Sequence, residues 1–336
     1  MMKTTTPIAL VLLLTLIWSA GCNRPSSEGP SINELFGVFE VIDSLQLTDV
    51  SPDFSLGESV GFSCKFSKPV EWNLLITGLE SGSRKSFEAF SSELFAEQVV
   101  WYGNCDDVPF FLEETCEVRL SVEGEEEEYV DSLQVAGVKT YSGIDVASFD
   151  EGLPDGALVW HQSGGANMTF ELAQENALQG SHYFKMGGRV NFESFLGYID
   201  IPLDLSDVNA SAEDFFLNVG VFGGVDEEFA TDQYVNILLS ESDAPFNDTG
   251  SEVYKHQIRP VDWEGWRYFA IPYAEFEVKS EGGNNVREPS EIRGIRLGLQ
   301  ACPFNSGNCP DNGNIEAQAD VDYIMFTEGL PLLEQE

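Results

Sequence analysis

Histidine is nearly absent from this 336-residue chain, with three in all. That leaves little material for histidine metal centres or for acid–base triads built around an imidazole. Positive charge is scarce too: 17 Lys and Arg stand against 57 Asp and Glu, for a formal net charge of −40. A nucleic-acid binder needs clustered cations to neutralise phosphates, so that class is excluded. Attachment to an anionic membrane surface through basic residues is excluded for the same reason. No stretch after residue 21 is long and apolar enough to cross a bilayer as a helix. The six cysteines include no CxxC pair and no companion histidine at zinc-ligating spacing. What the chain does have is apolar bulk. Hydrophobic residues make up 43%, including 24 Phe, 10 Tyr and 6 Trp, enough for at least one large core, and the length favours two domains.

Residues 1–21 read as a signal peptide: Lys3, then an apolar run from Ile8 to Trp18, then Ser19-Ala20-Gly21 before Cys22. Small residues directly before a Cys resemble the bacterial lipoprotein processing site. That resemblance implies that Cys22 becomes the lipidated N-terminus; the alternative is an ordinary secretory signal with a chance Cys. Residues 22–35, with Pro25, Gly29 and Pro30, form a flexible tether. Export exposes the chain to oxidising conditions, so disulfides are expected. Cys302 and Cys309 flank a turn-forming loop that a local bridge would clamp. Among Cys64, Cys105 and Cys116 two pairings compete. Cys64 and Cys116 share a core-facing register, with Trp72 close behind the first, whereas Cys105 with Cys116 would close the loop through Phe110 and Phe111.

From residue 36 to 138 the chain reads as short alternating strands. Val60, Phe62, Cys64 and Phe66 recur at period two, as do Cys116, Val118, Leu120 and Val122. This length and pattern fit an immunoglobulin- or fibronectin-like sandwich. Ser86 to Glu97 is ambiguous between strand and helix. The acidic run Glu123 to Asp131 reads as a solvated hairpin tip, because it lacks the spacing and Gly turn of a calcium loop. Residues 139–330 carry longer strands at 214–222, 233–240, 266–272, 292–300 and 321–326, separated by Gly- and Asn-rich turns, and predict one jelly-roll-sized β-sandwich. Residues 331–336 are a C-terminal tail. The fold class is therefore all-β.

Two resemblances extend this reading. Ser67-Lys68-Pro69-Val70, Trp101-Tyr102-Gly103, Phe110-Phe111 and Glu113-Glu114-Thr115-Cys116 resemble the immunoglobulin-like modules of bacterial surface proteins related to flagellar hook-capping proteins, which act as spacers or docking units. Asp150-Glu151-Gly152, Gln179 to Met186, Phe195 to Pro202, Trp266 to Phe276 and Asp320 to Phe326, in that order, resemble a galactose-binding-like jelly roll of the kind found in non-catalytic carbohydrate-binding modules. With the lipoprotein signal, the whole chain resembles surface glycan-binding lipoproteins of bacterial polysaccharide-utilisation systems. The resemblance implies a protein at the outer membrane or cell surface that captures polysaccharide beside an outer-membrane glycan transporter complex. It also implies a structural Ca²⁺ held by Asp150, Glu151 and Asp322 at the two ends of the domain, against the alternative of three solvated acids. No other cofactor is expected.

Strand alternation nominates the binding residues. Phe215, Leu217, Val219 and Val221 face one way and Asn218 the other; Asn236 opposes Val235, Ile237 and Leu239; Arg296 and Gln300 oppose Ile295, Leu297 and Leu299. Planar amides and guanidinium groups suit sugar hydroxyls, and an aromatic surface suits the apolar face of a sugar ring. Trp160 and Tyr183 are the aromatic candidates, whereas Trp266 is assigned to core packing. The competing class is a β-sandwich glycoside hydrolase or polysaccharide lyase, which needs two carboxylates held across a sugar; a structural or adhesion protein is a third. With so many acids, chance carboxylate pairs carry no weight, and His161, His182 and His256 have no hydrolase motif around them.

The lipid anchor is directly testable. Replacing Cys22 with Ala should move the protein from the membrane fraction to the soluble one, as read by fractionation and blotting. A variant that stays membrane-bound would refute the lipidation site.

Overall fold

The computed structural model describes residues 37–163, 167–190, 195–224, 229–242, 246, 250–302 and 313–335. Cys22 and Cys309 lie outside the described residues. Among the described residues the chain forms three antiparallel sheets of six strands each, built from the strands its period-two alternation predicts. Among the described residues no helix is long and apolar enough to cross a membrane.

The first sheet is organised by one strand, β2 (Val60–Gly78). Along one edge of β2 run β3 (Arg84–Leu94) and β4 (Val100–Trp101). Its other edge is shared by β1 (Val41–Leu47) and β5 (Thr115–Val122), with β6 (Tyr129–Gln134) beyond β5. Buried and half-buried residues alternate along β2 without interruption from Cys64 to Val70 and again from Trp72 to Gly78. Val60, Phe62, Phe66, Leu74 and Ile76 therefore build one core with Leu94, Val118 and Leu120. At one end Trp101 is sandwiched edge-on between Phe54 and Phe111, with ring centroids 4.6 and 4.8 Å away. The ambiguous segment from Ser86 resolves as strand β3, because its register against β2 from Arg84 to Leu94 satisfies its backbone groups.

The remaining strands form a jelly-roll sandwich. The second sheet runs β15 (Gly265–Pro272), β12 (Phe215–Gly223), β18 (Glu316–Glu328), β10 (His182–Arg189) and β9 (Thr169–Gln174), with β7 (Ile144–Ala147) also on β18. The third runs β16 (Glu277–Glu281), β14 (Glu252–Ile258), β13 (Gln233–Ser240), β17 (Gly294–Ala301), β11 (Phe195–Pro202) and β8 (Leu158–His161). Leu217, Val219 and Val221 from the second sheet meet Val235, Ile237, Leu239, Ile295, Leu297 and Leu299 from the third in one continuous apolar layer.

The outer face of the second sheet meets the N-terminal unit. The Phe110 ring lies 5.6, 5.7 and 5.4 Å from those of Tyr141, Tyr268 and Tyr323. The last residues close the same seam: Leu332 is fully buried, Leu333 packs on the N-terminal core, and the Asn104 amide donates to the Leu333 carbonyl at 3.0 Å.

One expectation is overturned here. Cys64, Cys105 and Cys116 are free thiols, so neither Cys64–Cys116 nor Cys105–Cys116 is bridged. Cys64 and Cys116 do face the core, but Cys64 pairs with Leu94 whereas Cys116 pairs with Gly78 at the far end of β2. On the order of 45 Å of strand separates them at about 3.3 Å per residue, far beyond disulfide reach. Burial pushes the three thiols up to about 11, 11 and 12 in that order. They should therefore be inert to a thiol reagent at pH 8 in the native protein and all react in guanidinium. Fast native modification of any of the three would contradict the packing.

Candidate functional site

The outer face of the third sheet is laid out by register. Directly paired residues share a face, so Trp160 on β8, Tyr198 on β11, Gly298 on β17, Asn236 on β13 and Gln257 on β14 form one row. At about 4.8 Å between strands this row spans roughly 20 Å. The next row is Leu158, Asp200, Arg296, Leu238, Lys255 and Glu277. On the other side Gln300 lies between Phe195 and Tyr234.

Three rings gather at the β8–β11 end. Trp160 lies 5.4 Å from Tyr198 and 6.0 Å from Phe195, with interplanar angles of 24° and 18°. Phe195 and Tyr198 are 5.6 Å apart at 32°. Near-parallel planes at these separations make an offset platform rather than a face-to-face stack. Gly298 makes room for it: a Cβ there would sit 3.0 Å from the Phe195 ring. Trp160 is 43% exposed, so its indole is available for contact from solvent.

Beneath the platform lies Arg296, only 4% exposed. Its fork is spent on Asp200, with Nε 2.5 Å from Oδ1 and Nη2 2.7 Å from Oδ2. The guanidinium carbon sits 3.7 Å from the Tyr198 ring centroid and 4.9 Å from that of Phe246. Arg296 thus points away from the core, as its alternation predicts, but it braces Tyr198 and holds Asp200. Asn236 accepts from the Gln257 amide at 3.2 Å, which leaves the Asn236 amide nitrogen and the Gln257 carbonyl oxygen for another partner. The Gln300 side chain is half-buried and makes no hydrogen bond among the described residues.

The other nominated residues lie elsewhere. Asn218 is on the second sheet, not the third. It is fully buried, donating to Thr327 Oγ1 at 3.0 Å and accepting from the Leu332 amide at 2.9 Å, and so it fastens the C-terminal tail. Strand alternation fixes a side, not a sheet, and Asn218 on one face with Asn236, Arg296 and Gln300 is corrected accordingly. Tyr183 stands on the outer face of the second sheet against Trp266 at 5.7 Å. Trp266 is not a core residue: it is half-buried on that face, touching Phe222 and donating its indole N–H to the Asn176 carbonyl at 2.6 Å. Register explains this, because Trp266 pairs with Phe222, one residue beyond the inward-facing Val221.

Two of the three carboxylates expected to hold Ca²⁺ accept backbone hydrogen bonds. Asp322 is fully buried; its Oδ2 accepts from the Leu178 and Gln179 amides at 2.8 and 3.2 Å, and its Oδ1 from the Tyr323 amide at 2.7 Å. Asp150 Oδ1 accepts from the Ser181 and His182 amides at 2.6 and 3.1 Å. Glu151 is exposed. Among the described residues no three His, Cys, Asp or Glu side chains gather in a metal-holding cluster. Asp322 fastens the β9–β10 turn to β18, and Asp150 fastens the same turn to the loop after β7, both through backbone amides.

Residues absent from the sequence-based set complete the face. Tyr198 and Asp200 flank the inward-facing Ile199, so their outward direction was readable. Phe195 sits beside an irregularity in the β11–β17 register, which simple alternation does not foresee.

No protein-family model matches the chain, and no curated protein matches it. It overlaps loosely with a solved structure described under the promiscuous specificity of carbohydrate-binding modules of the β-sandwich superfamily, at 10% identity, over 89% of this chain and 100% of that one, with a TM-score of 0.37. The N-terminal CBM22-1–CBM22-2 tandem domain of Paenibacillus barcinonensis Xyn10C gives 9% identity over 87% and 93%, with a TM-score of 0.34. A family 30 carbohydrate-binding module gives 11% over 56% and 99%, with a TM-score of 0.33. Overlaps this loose carry no argument about ligand or site.

The buried acids do carry a prediction. Burial pushes Asp322 up to about 7, and Asp320 and Glu241 up to about 6. The folded chain therefore holds protons that the unfolded chain has released, so their stabilising contribution is full near pH 4 and is lost as pH rises through about 7. Tm should fall across that window, by up to about 1.4 kcal/mol of stability per pH unit for each such group. Asp322→Asn, which mimics the neutral acid, should flatten the slope. An unchanged slope would show that Asp322 is ionised throughout.

Proposed function

We propose that this chain is a non-catalytic surface protein that binds polysaccharide on the outer face of its third sheet. The observation that carries the reading is the Trp160–Phe195–Tyr198 platform beside Asn236, Gln257 and Gln300. An exposed indole offers a flat apolar surface for the C–H face of a sugar ring, and flanking amides donate to and accept from its hydroxyls. A row of five strands suits an extended chain of sugars better than a single ring. The platform rests on a braced arginine rather than on a mobile loop, which limits the ordering cost of binding. Cys22 would tether the protein by lipid to the outer membrane or cell surface, facing outward, with the tether of 22–35 giving it reach. The N-terminal sandwich would serve as spacer or docking unit, and an outer-membrane glycan transporter complex is the partner this arrangement implies.

Retention of the native protein in gels containing candidate polysaccharides tests the reading. Trp160→Ala should weaken retention by about tenfold, the worth of one good aromatic contact, while leaving Tm near that of wild type because the side chain faces solvent. Unchanged retention by that variant would move the site off this face. Release of reducing sugar from a retained polysaccharide would favour an enzyme.

A further inference from the structure

We propose that the polysaccharide bound on this face is an acidic one, carrying carboxylate or sulfate groups along its length. The inference rests on the reading of the platform as a glycan site and adds the charge of the ligand. Its basis is where the few cations converge. Lys255 on β14, Lys279 on β16 and Arg296 on β17 all reach the outer face of the third sheet. Arg296 is matched by Asp200, and Arg259 at the far end of the face is matched by Asp232 while stacking 4.5 Å from the Tyr234 ring. The two lysines make no ion pair among the described residues. Glu277, the register partner of Lys255, is exposed and not in ion-pair contact with it.

In a chain with more than three acids for each base, two unmatched ammonium groups beside a third cation are unfavourable for the free protein. Lys279 is exposed, yet desolvation by the neighbouring chain, then the charges of Arg296 and Lys255, pull its ammonium below its ordinary range. A ligand that brings its own anionic groups relieves that repulsion and pairs both lysines. A neutral glycan would leave it in place. The surrounding field sharpens the argument: a net charge of −40 repels a polyanion from most of the surface, so it can approach only where cations are gathered. The lysines lie beyond Asn236 and Gln257 from the aromatic platform. A chain stacked on Trp160 and running across the strands would therefore present later residues to them.

The test compares binding to polyuronates such as alginate and polygalacturonate, to sulfated carrageenan, and to neutral glucan and xylan, by calorimetry on the full mature chain. Binding of an acidic polymer, weakened about tenfold or more when Lys255→Gln and Lys279→Gln are combined, supports the proposal, since each lysine supplies a charge-assisted contact. Which acidic polymer responds separates carboxylate from sulfate recognition. Lys255→Arg with Lys279→Arg should restore binding, and Lys185→Gln, an equal charge loss on the second sheet, should leave it unchanged. If neutral polymers bind as well as acidic ones and the lysine variants bind normally, the charge inference falls while the platform reading stands, provided Trp160→Ala still weakens binding about tenfold. If wild type binds no polymer in the panel, both fall together.

Discussion

The apolar layer between the second and third sheets governs the molecule's recognition surface. Val235, Ile237 and Leu239 on β13 and Ile295, Leu297 and Leu299 on β17 are all completely buried in it. A slip of one residue would turn three large aliphatic groups of either strand out of the apolar layer and put Asn236 and Leu238, or Arg296 and Gly298, in their place. Burial of each such side chain is worth about 1.5–3 kcal/mol, so the register is set by several times the energy of any single surface contact. The positions of Trp160, Tyr198, Asn236 and Gln257 in one row follow from that constraint, not from contacts among themselves. Core packing is the cause and the outer face its consequence.

Within that frame the Arg296–Asp200 pair has a different status from a surface ion pair. Both partners are withdrawn from solvent, with 5% and 19% of their side chains exposed, and the fork is bidentate. Such a pair contributes little net stability over an apolar pair of the same shape, yet loss of one partner leaves the other charge buried and unmatched. Its value is geometric. A planar guanidinium between the Tyr198 and Phe246 rings fixes the Tyr198 ring by cation–π contact on one side, and Tyr198 in turn fixes the neighbouring indole of Trp160.

Much of the fold was legible in the sequence. Every inward residue assigned on β12, β13 and β17 from Leu217, Val235 and Ile295 onward is buried, because period-two alternation over seven or more residues has only one solution in a half-buried strand. What alternation cannot carry is pairing. It placed Asn218 outward without saying that its sheet is the one covered by the C-terminal tail, and it placed Cys64 and Cys116 inward without saying that β2 separates them. It assigned Trp266 by the average behaviour of large aromatics, although the residue's own strand register points it away from the core. Phe195 was hidden for a related reason, since the register irregularity beside it breaks the pattern from which its direction would be read.

Charge completes the picture because it works at longer range than packing. Acids far outnumber bases, and several cations are consumed locally: Lys65 by Glu93, Lys85 by Asp106, Arg119 by Glu117 and Glu128, and Arg189 by Glu316. These exposed pairs contribute little to stability. Their effect is to remove positive potential from the faces they occupy. Lys255 sits between Leu238 on one side and Glu277 on the other, without ion-pair contact to Glu277, and Lys279 on the edge strand likewise makes no ion pair among the described residues. Burial of Leu238 and Arg296 keeps water from screening the cluster from below. The same core register that lines up the aromatic row therefore also brings Lys255 to that face, near Lys279 and Arg296. Stacking surface and counter-charge lie on one sheet face because both are the outward half of the same buried alternation.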